Sequence, residues 1–177
     1  MTKSKITVIN TGGTFNKRYN PISGELEVPK DSLALDEIIS YCYNIDFDVL
    51  NVISKDSLEM SDVDRELIVK TIKNIKNENI IIVHGTDTMD LTAKYLDKKI
   101  KDKTIILTGA MLPISINKIE ATLNFSQAIG FLNSWDKAEI ISSFCLFASF
   151  NFAFCFAFCF SLFVSFIATL FRSFVIL

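Results

Sequence analysis

Residues 79–88 read NIIIVHGTDT, and this stretch decides the fold of the 177-residue chain. The run from Ile80 to Val83 is apolar without a break, which is typical of a parallel strand buried on both faces. It ends at Gly85, where the chain can turn tightly. Hydroxyl and carboxylate side chains follow, so the pattern predicts a central strand with polar residues at its carboxyl end.

Other strands and helices alternate on both sides of this stretch. The alternation predicts an α/β fold, an open parallel sheet with helices on both faces and a flavodoxin- or Rossmann-like strand order. With right-handed crossovers we expect the order 2-1-3-4, and the crevice outside strands 1 and 3 is the default ligand site. The predicted strands are residues 5–10, 47–53, 79–84 and 104–108, the predicted helices are 32–43, 61–75, 87–100 and 119–132, and residues 15–30 are predicted to form a long loop with a small hairpin around Gly24.

Composition excludes several classes of function. The net charge of −2 makes a charge-driven grip on nucleic acid unlikely. The four cysteines lack CxxC spacing and His84 is the only histidine, so neither a disulfide framework nor a metal site is expected. The apolar run at the N-terminus is too short for a signal peptide, which predicts a cytoplasmic protein.

The C-terminal part differs from the rest of the chain. We expect residues 1–135 to form the α/β domain and residues 136–177 to form an apolar tail, in which 12 of the 16 phenylalanines lie. Residues 140–171 carry no charge and are long enough to span a bilayer. The alternatives are a segment translated out of frame, a membrane anchor that would bring the chain to a membrane, and a buried core segment; no strand with polar residues at its end is expected there.

Three glycine turns carry the candidate chemistry. They are residues 11–14 (TGGT), residues 84–88 (HGTDT) and residues 108–111 (TGAM), each placed after a predicted strand. Two threonines facing one ligand suggest nucleophilic chemistry, for which a hydroxyl needs a base and donors for the developing oxyanion. Three other interpretations stay open: TGGT as a phosphate-binding loop, His84 as a strand-end residue bonded locally, and Asp87 as a helix N-cap.

Four motifs together resemble the bacterial L-asparaginase family, in its N-terminal α/β domain. The resemblance covers residues 5 to about 132, and the chain is similar to short, single-domain members of the family. It implies hydrolysis of the side-chain amide of L-asparagine, with no metal and no cofactor, and leaves a homo-oligomer possible. The motifs are VINTGGTF at 8–15, KDSLEMSD at 55–62, VHGTDTMDLTAKYL at 83–96 and LTGAMLP at 107–113.

The resemblance assigns a role to each site residue. Thr14 would be the nucleophile, Thr86 would help to activate the attack or position the water, and Asp87 would hold the substrate ammonium. Tyr19 would correspond to the tyrosine on the mobile lid of the family. On the substrate side, Gly13 would contribute its backbone, Ser57 would bind the α-carboxylate, and Ala110 would face the amide through its carbonyl.

The chain also departs from the family. Members carry a lysine on a strand beyond the GAM motif, yet this chain has no lysine after Lys137. Leu58 stands where the family often has Gln or Ser. Two alternatives to an active amidohydrolase follow: a truncated remnant that binds asparagine or aspartate without turnover, and a membrane-tethered domain.

Overall fold

The computed structural model describes residues 4–134 and 140–142, and the fold follows the predicted alternation. Two single 3-10 turns, Thr14–Asn16 and Ser57–Glu59, lie next to the strand ends. In chain order the elements are β1 (Ser4–Gly12), β2 (Arg18–Asn20), β3 (Glu25–Glu27), α1 (Leu33–Ile39), β4 (Ile45–Lys55), α2 (Asp62–Asn74), β5 (Asn79–Val83), α3 (Met89–Asp97), β6 (Thr104–Thr108), α4 (Lys118–Ser134) and β7 (Ile140–Ser142).

The main sheet is parallel, with the order β4-β1-β5-β6-β7. The predicted strands 1, 2, 3 and 4 correspond to β1, β4, β5 and β6, so the predicted order 2-1-3-4 is confirmed. Across the sheet, Val8 pairs with Val49 on one side and with Ile81 on the other, and Ile81 pairs with Ile106. β1 and β5 are neighbours at the centre, so their carboxyl ends open side by side.

Helices cover both faces of the sheet, as predicted. Ile81 packs in a cluster with Leu35 of α1 and Phe125 of α4. The neighbouring Ile82 packs in the opposite cluster with Ile68 of α2 and Leu96 of α3. Because consecutive strand residues point to opposite faces, an apolar run such as residues 80–83 is needed to supply both clusters.

Several predicted boundaries differ from the structure. The first helix ends at Ile39 and not near Tyr43, because the chain then passes through a turn in which Asn44 has a φ of 65°. The helix predicted to start at Asp87 begins at Met89. The predicted hairpin is present as the antiparallel pair β2–β3, in which Tyr19 lies opposite Leu26.

The expectation that the tail offers no strand with polar residues at its end is wrong at residues 140–142, which form a strand that ends at Ser142. β7 pairs with β6 as a fifth strand, Ile105 opposite Ile140 and Leu107 opposite Ser142. An apolar run next to a buried parallel strand meets the requirement of that position, which the phenylalanine-rich composition concealed. The rest of the predicted tail lies outside the described residues, and within them no helix has the length and apolarity to cross a bilayer.

Replacing Phe125 with Ala should destabilise the chain by about 3–5 kcal/mol, the usual cost of deleting a buried aromatic ring. Phe125 is fully buried in the cluster beneath α4. The matched control on the same helix is Leu123→Ala, where the side chain is 48% exposed and the loss should stay near 1 kcal/mol or less. Urea unfolding measures both, and equal losses would contradict this packing.

Candidate active site

The turns after β1 and β5 touch through their backbones. A methyl group placed on the Cα of Gly13 would lie 2.4 Å from the backbone nitrogen of Gly85. Gly13 also has a φ of 72°, in the left-handed region that favours glycine. Thr14 and Thr86 follow these two glycines directly, so the structure brings the two threonine-bearing turns together.

A third turn, after β4, closes on the same point. A methyl group on Gly85 would lie 2.6 Å from the Oγ of Ser57. The Thr88 hydroxyl donates to the carbonyl oxygen of Ser57 at 2.8 Å, which fixes the turn from the other side. Ser57 is 1% exposed, yet its Oγ has no hydrogen-bond partner among the described residues. A buried hydroxyl in that condition is costly, and a ligand group can satisfy it.

The turn after β6 completes the cluster. A methyl group on Gly109 would lie 2.3 Å from the carbonyl oxygen of His84 and 3.5 Å from Cγ2 of Thr86. Asn124 of α4 donates to the Gly109 carbonyl at 2.8 Å. Ala110 is buried beside this contact. The predicted residues Gly13, Ser57 and Ala110 therefore lie in turns that meet around the turn of Thr86.

The turn that carries Thr14 is held by asparagines that the sequence analysis did not identify. Asn16 is fully buried and donates from Nδ2 to the Oδ1 of Asn10 at 2.9 Å and to the carbonyl of Gly12 at 2.7 Å. Asn10 donates in turn to Oδ1 of Asn51 on β4 at 3.0 Å. The sequence signal for these bonds is Asn10, an amide side chain near the end of the apolar strand β1. Its partners, Asn16 and Asn51, lie 6 and 41 residues further along the chain.

Two ion pairs tie the Ser57 turn to its neighbours. Lys17 contacts Asp56 at 2.6 Å, and its hydrogen bond lowers the pKa of that carboxyl. Lys55 contacts Asp64 at 2.8 Å. The Lys55 hydrogen bond, together with the backbone N–H of Ser61, lowers the pKa of Asp64 to about 2. Ser61 and Asp64 form the predicted capping box at the start of α2.

His84 is bonded locally, as one of the open interpretations stated. Its Nδ1 lies 2.7 Å from the carbonyl oxygen of Gly85, and its Nε2 lies 2.9 Å from the hydroxyl of Thr92. Burial lowers the pKa of His84, and the nearby charge of Arg65 acts in the same direction. The hydrogen bond to the Gly85 carbonyl opposes this shift in part, and the net lowering of the pKa favours the neutral ring.

Two predicted residues, Asp87 and Tyr19, are exposed. Asp87 is exposed in the turn before α3, and the N-cap of that helix is Thr88, so the N-cap interpretation of Asp87 is wrong. Tyr19 is 64% exposed on β2. The described contacts do not join its side chain to the threonine turns. Among the described residues, no group of three or more His, Cys, Asp or Glu side chains suits a metal ion.

Comparison with known proteins decides the family. The family described as Asparaginase, N-terminal, matches residues 5–146. The chain belongs to the asparaginase family. The match extends beyond residue 132, where the sequence resemblance was expected to end, and includes β7.

Curated relatives and solved structures agree with this assignment. L-asparaginase 2 of Escherichia coli K12 is 30% identical over 143 residues, which are 76% of this chain and 40% of that protein. A probable periplasmic L-asparaginase of Haemophilus influenzae is 30% identical over 70% of this chain and 37% of its own length. The solved thermostable L-asparaginase of Thermococcus kodakarensis matches with a TM-score of 0.64 and 25% identity, over 72% of this chain and 40% of that one. The asparaginase-family chain thus spans about two fifths of the length of these relatives.

Gly85→Ala should destabilise the chain by about 2 kcal/mol or more, because the new methyl group would overlap Ser57 and the turn cannot move away from Gly13. Gly130→Ala is the matched control. It lies in α4 with open space around the added methyl group, and an alanine in a helix should add about 0.5–1 kcal/mol. Thermal unfolding compares the two, and a Gly85→Ala protein as stable as the parent would contradict the close approach of the turns.

Asp64→Asn should lower stability at pH 7 and remove part of its pH dependence. Because the pKa of Asp64 is depressed from 3.8 to about 2, its ionised form stabilises the fold above pH 4, and this contribution is lost as the pH falls from 4 to 2. Urea unfolding at a series of pH values should give a shallower acid slope for the variant. Asp90→Asn, which breaks an exposed pair with Lys94, is the control and should cost less than about 1 kcal/mol at pH 7.

Proposed function

We propose that this asparaginase-family chain hydrolyses the side-chain amide of L-asparagine to L-aspartate and ammonia. The observation that carries the proposal is the close approach of Gly13 and Gly85, which brings the turns of Thr14 and Thr86 to one place on the sheet edge. The relatives named above are L-asparaginases, and the matched region includes both turns.

The substrate contacts follow from the surrounding turns. The unpartnered hydroxyl of Ser57 donates to the α-carboxylate of the substrate. Asp87, exposed at the same edge, accepts from the α-ammonium group. Ala110 offers its backbone carbonyl to the side-chain amide, and Gly13 contributes its backbone on the opposite side. Because the α-carboxylate and the α-ammonium group of the substrate are both held, its side-chain amide is fixed relative to Thr14. Such positioning is a large part of catalysis.

The reaction proceeds in two balanced steps. The hydroxyl oxygen of Thr14 attacks the amide carbon, its proton passes to the leaving nitrogen, and the C–N bond breaks to release ammonia. Water then attacks the resulting ester, returns a proton to Thr14 and releases aspartate. Thr86 positions the proton acceptor or the water, and general acid–base help of this kind contributes roughly 10²–10⁴-fold. Tyr19 lies on the hairpin that follows the Thr14 turn, and it would have to move toward the threonine turns to cover the bound substrate.

A second candidate function is binding of asparagine or aspartate without turnover. The observation that favours it is the missing lysine: after Lys137 the sequence contains none, and β7 ends in Ser142 followed by a second serine. Without that lysine, the nucleophile lacks the help in losing its proton that the resemblance implies. The binding contacts of Ser57 and Asp87 do not depend on that lysine.

Location and assembly are also proposals. We propose that the chain acts in the cytoplasm on a free amino acid, without nucleic acid, and that it can form a homo-oligomer. A probable cytoplasmic L-asparaginase of Campylobacter jejuni matches with a TM-score of 0.64 and 25% identity over 79% of this chain and 44% of that chain. This likeness supports the cytoplasmic location.

Thr14→Ala and Thr86→Val should each reduce ammonia release from L-asparagine by at least a hundredfold, because each removes a hydroxyl from the reacting centre. Thr71→Val is the matched control, since that hydroxyl only bonds the Leu67 carbonyl within α2. A coupled assay for ammonia measures all three, and L-aspartate should raise the melting temperature of the parent chain by mass action.

The two measurements separate the candidates. Ammonia release that Thr14→Ala abolishes supports the hydrolase. Thermal stabilisation by L-aspartate without ammonia release supports the binding protein. If neither appears, or if both threonine variants keep full activity, the proposed site is wrong.

A further inference from the structure

A chain of three buried side chains runs from α2 to the turn of Thr86. Arg65 donates from Nε to the hydroxyl oxygen of Thr92 at 3.1 Å. Thr92 lies 2.9 Å from Nε2 of His84, whose Nδ1 lies 2.7 Å from the Gly85 carbonyl. His84 and Thr92 are fully buried and Arg65 is 6% exposed. None of the three has a role in the reaction described above.

The hydrogen-bond types in this chain fix one state of the histidine. The Gly85 carbonyl can only accept, so Nδ1 carries the proton, and Nε2 is then an acceptor for the Thr92 hydroxyl. The Thr92 oxygen is free to accept from Arg65, so every partner is satisfied. If His84 gained a second proton, Nε2–H and Arg65 Nε–H would both point at Thr92, whose own proton would lose its acceptor.

The last bond of the chain acts on the peptide that carries Thr86. The Gly85 carbonyl and the Thr86 N–H belong to one planar peptide group, so fixing the carbonyl fixes the direction of the N–H. Gly85 cannot shift in response, because Gly13 and Ser57 lie against it. The orientation of the Thr86 backbone is therefore set by the ring of His84.

We propose that His84, whose ring is held between the Thr92 hydroxyl and the Gly85 carbonyl, is a positioning residue that orients Thr86 and Asp87 for the amidohydrolase reaction. The proposal rests on the proposed function for its catalytic consequence, and on the geometry alone for the orientation. Protonation of His84 breaks the chain, so the turn is in its working arrangement only at a pH above the pKa of the ring.

The charges around the ring agree with this direction. Among the described residues, the charged group at His84 is Arg65 on α2. Arg65 in turn donates from Nη1 to the carboxylate of Asp62 on the same helix at 3.0 Å. Asp62 is mostly exposed, with 80% of its side-chain surface open, so it neutralises little of the charge at the ring. On the β6 side, the backbone carbonyl of Thr108 accepts from the backbone N–H of His84 at 2.8 Å, and this contact adds no charge. A second cation next to Arg65 is therefore disfavoured.

The single histidine of the chain makes the test direct. In the full chain labelled uniformly with ¹⁵N, the NMR spectrum at pH 7 should show one neutral histidine ring with its proton on Nδ1. The ring should titrate below its ordinary value of about 6.5. The backbone amide signals of Thr86 and Asp87 should shift along the same titration curve.

Variants of Thr92 separate positioning from simple packing. Thr92→Val removes the hydroxyl at nearly constant size. The neutral ring loses its donor to Nε2, so the histidine pKa should rise, while burial still holds it below its ordinary value. The amides of Thr86 and Asp87 should shift at pH 7. In the ammonia assay, kcat should fall about tenfold, the effect of one hydrogen bond, with KM changed less than about twofold. The acid limb of the pH–rate profile should move to higher pH. Thr92→Ser should restore all of these, and Thr71→Val should change none.

Each result decides between the claims. A proton on Nε2, unmoved Thr86 and Asp87 amides, or an unchanged histidine titration in Thr92→Val would overturn the positioning role. If the spectra behave as expected but the parent chain releases no ammonia, the orientation by His84 stands and the proposed hydrolase fails. If ammonia is released and Thr92→Val has the parent pH profile, the hydrolase stands and His84 has only a packing role.

Discussion

The contact between the backbones of Gly13 and Gly85 is the constraint on which the other features of the site depend. It requires β1 and β5 to be neighbouring parallel strands whose carboxyl ends reach the same edge. It also excludes a side chain at position 13, since a Cβ on Gly13 would lie within 2.4–2.5 Å of Gly85 backbone atoms. Ser57 and Gly109 then close around the same turn, so four separate segments of the sequence form one small polar region on an apolar sheet.

Much of the fold could be predicted from the sequence because strong local patterns coincide with global needs. The apolar run of β5 indicated a strand covered on both faces, and the alternation of strands and helices indicated the sheet order. The end of α1 was missed, because a turn at Asn44 interrupts a helix that the apolar pattern alone would continue. β7 was missed for the opposite reason: its three residues are part of a long apolar segment, and only the neighbouring β6 distinguishes them from it.

The candidate site was predictable in its motifs and not in its supports. TGGT and HGTDT state which residues stand at the strand ends, and parallel topology brings them together. The asparagines that hold the Thr14 turn, and the chain from Arg65 through Thr92 to His84, join residues that have no common spacing. Such bonds depend on how the helices are placed on the sheet. Hydrophobic periodicity shows which face of a helix packs against the sheet, but not where along the sheet it lies. Comparison with known proteins establishes the family, whereas the geometry suggests what each residue does.

The position of β4 at one margin of the described sheet has a further consequence. It is an edge strand of 11 residues, and an edge strand presents backbone N–H and C=O groups that can pair with a strand of another molecule. Asp46 and Asp48 stand exposed at alternate positions of this strand. Charged side chains on an edge strand disfavour pairing with a second edge, so the two carboxylates act against the addition of another strand at this margin.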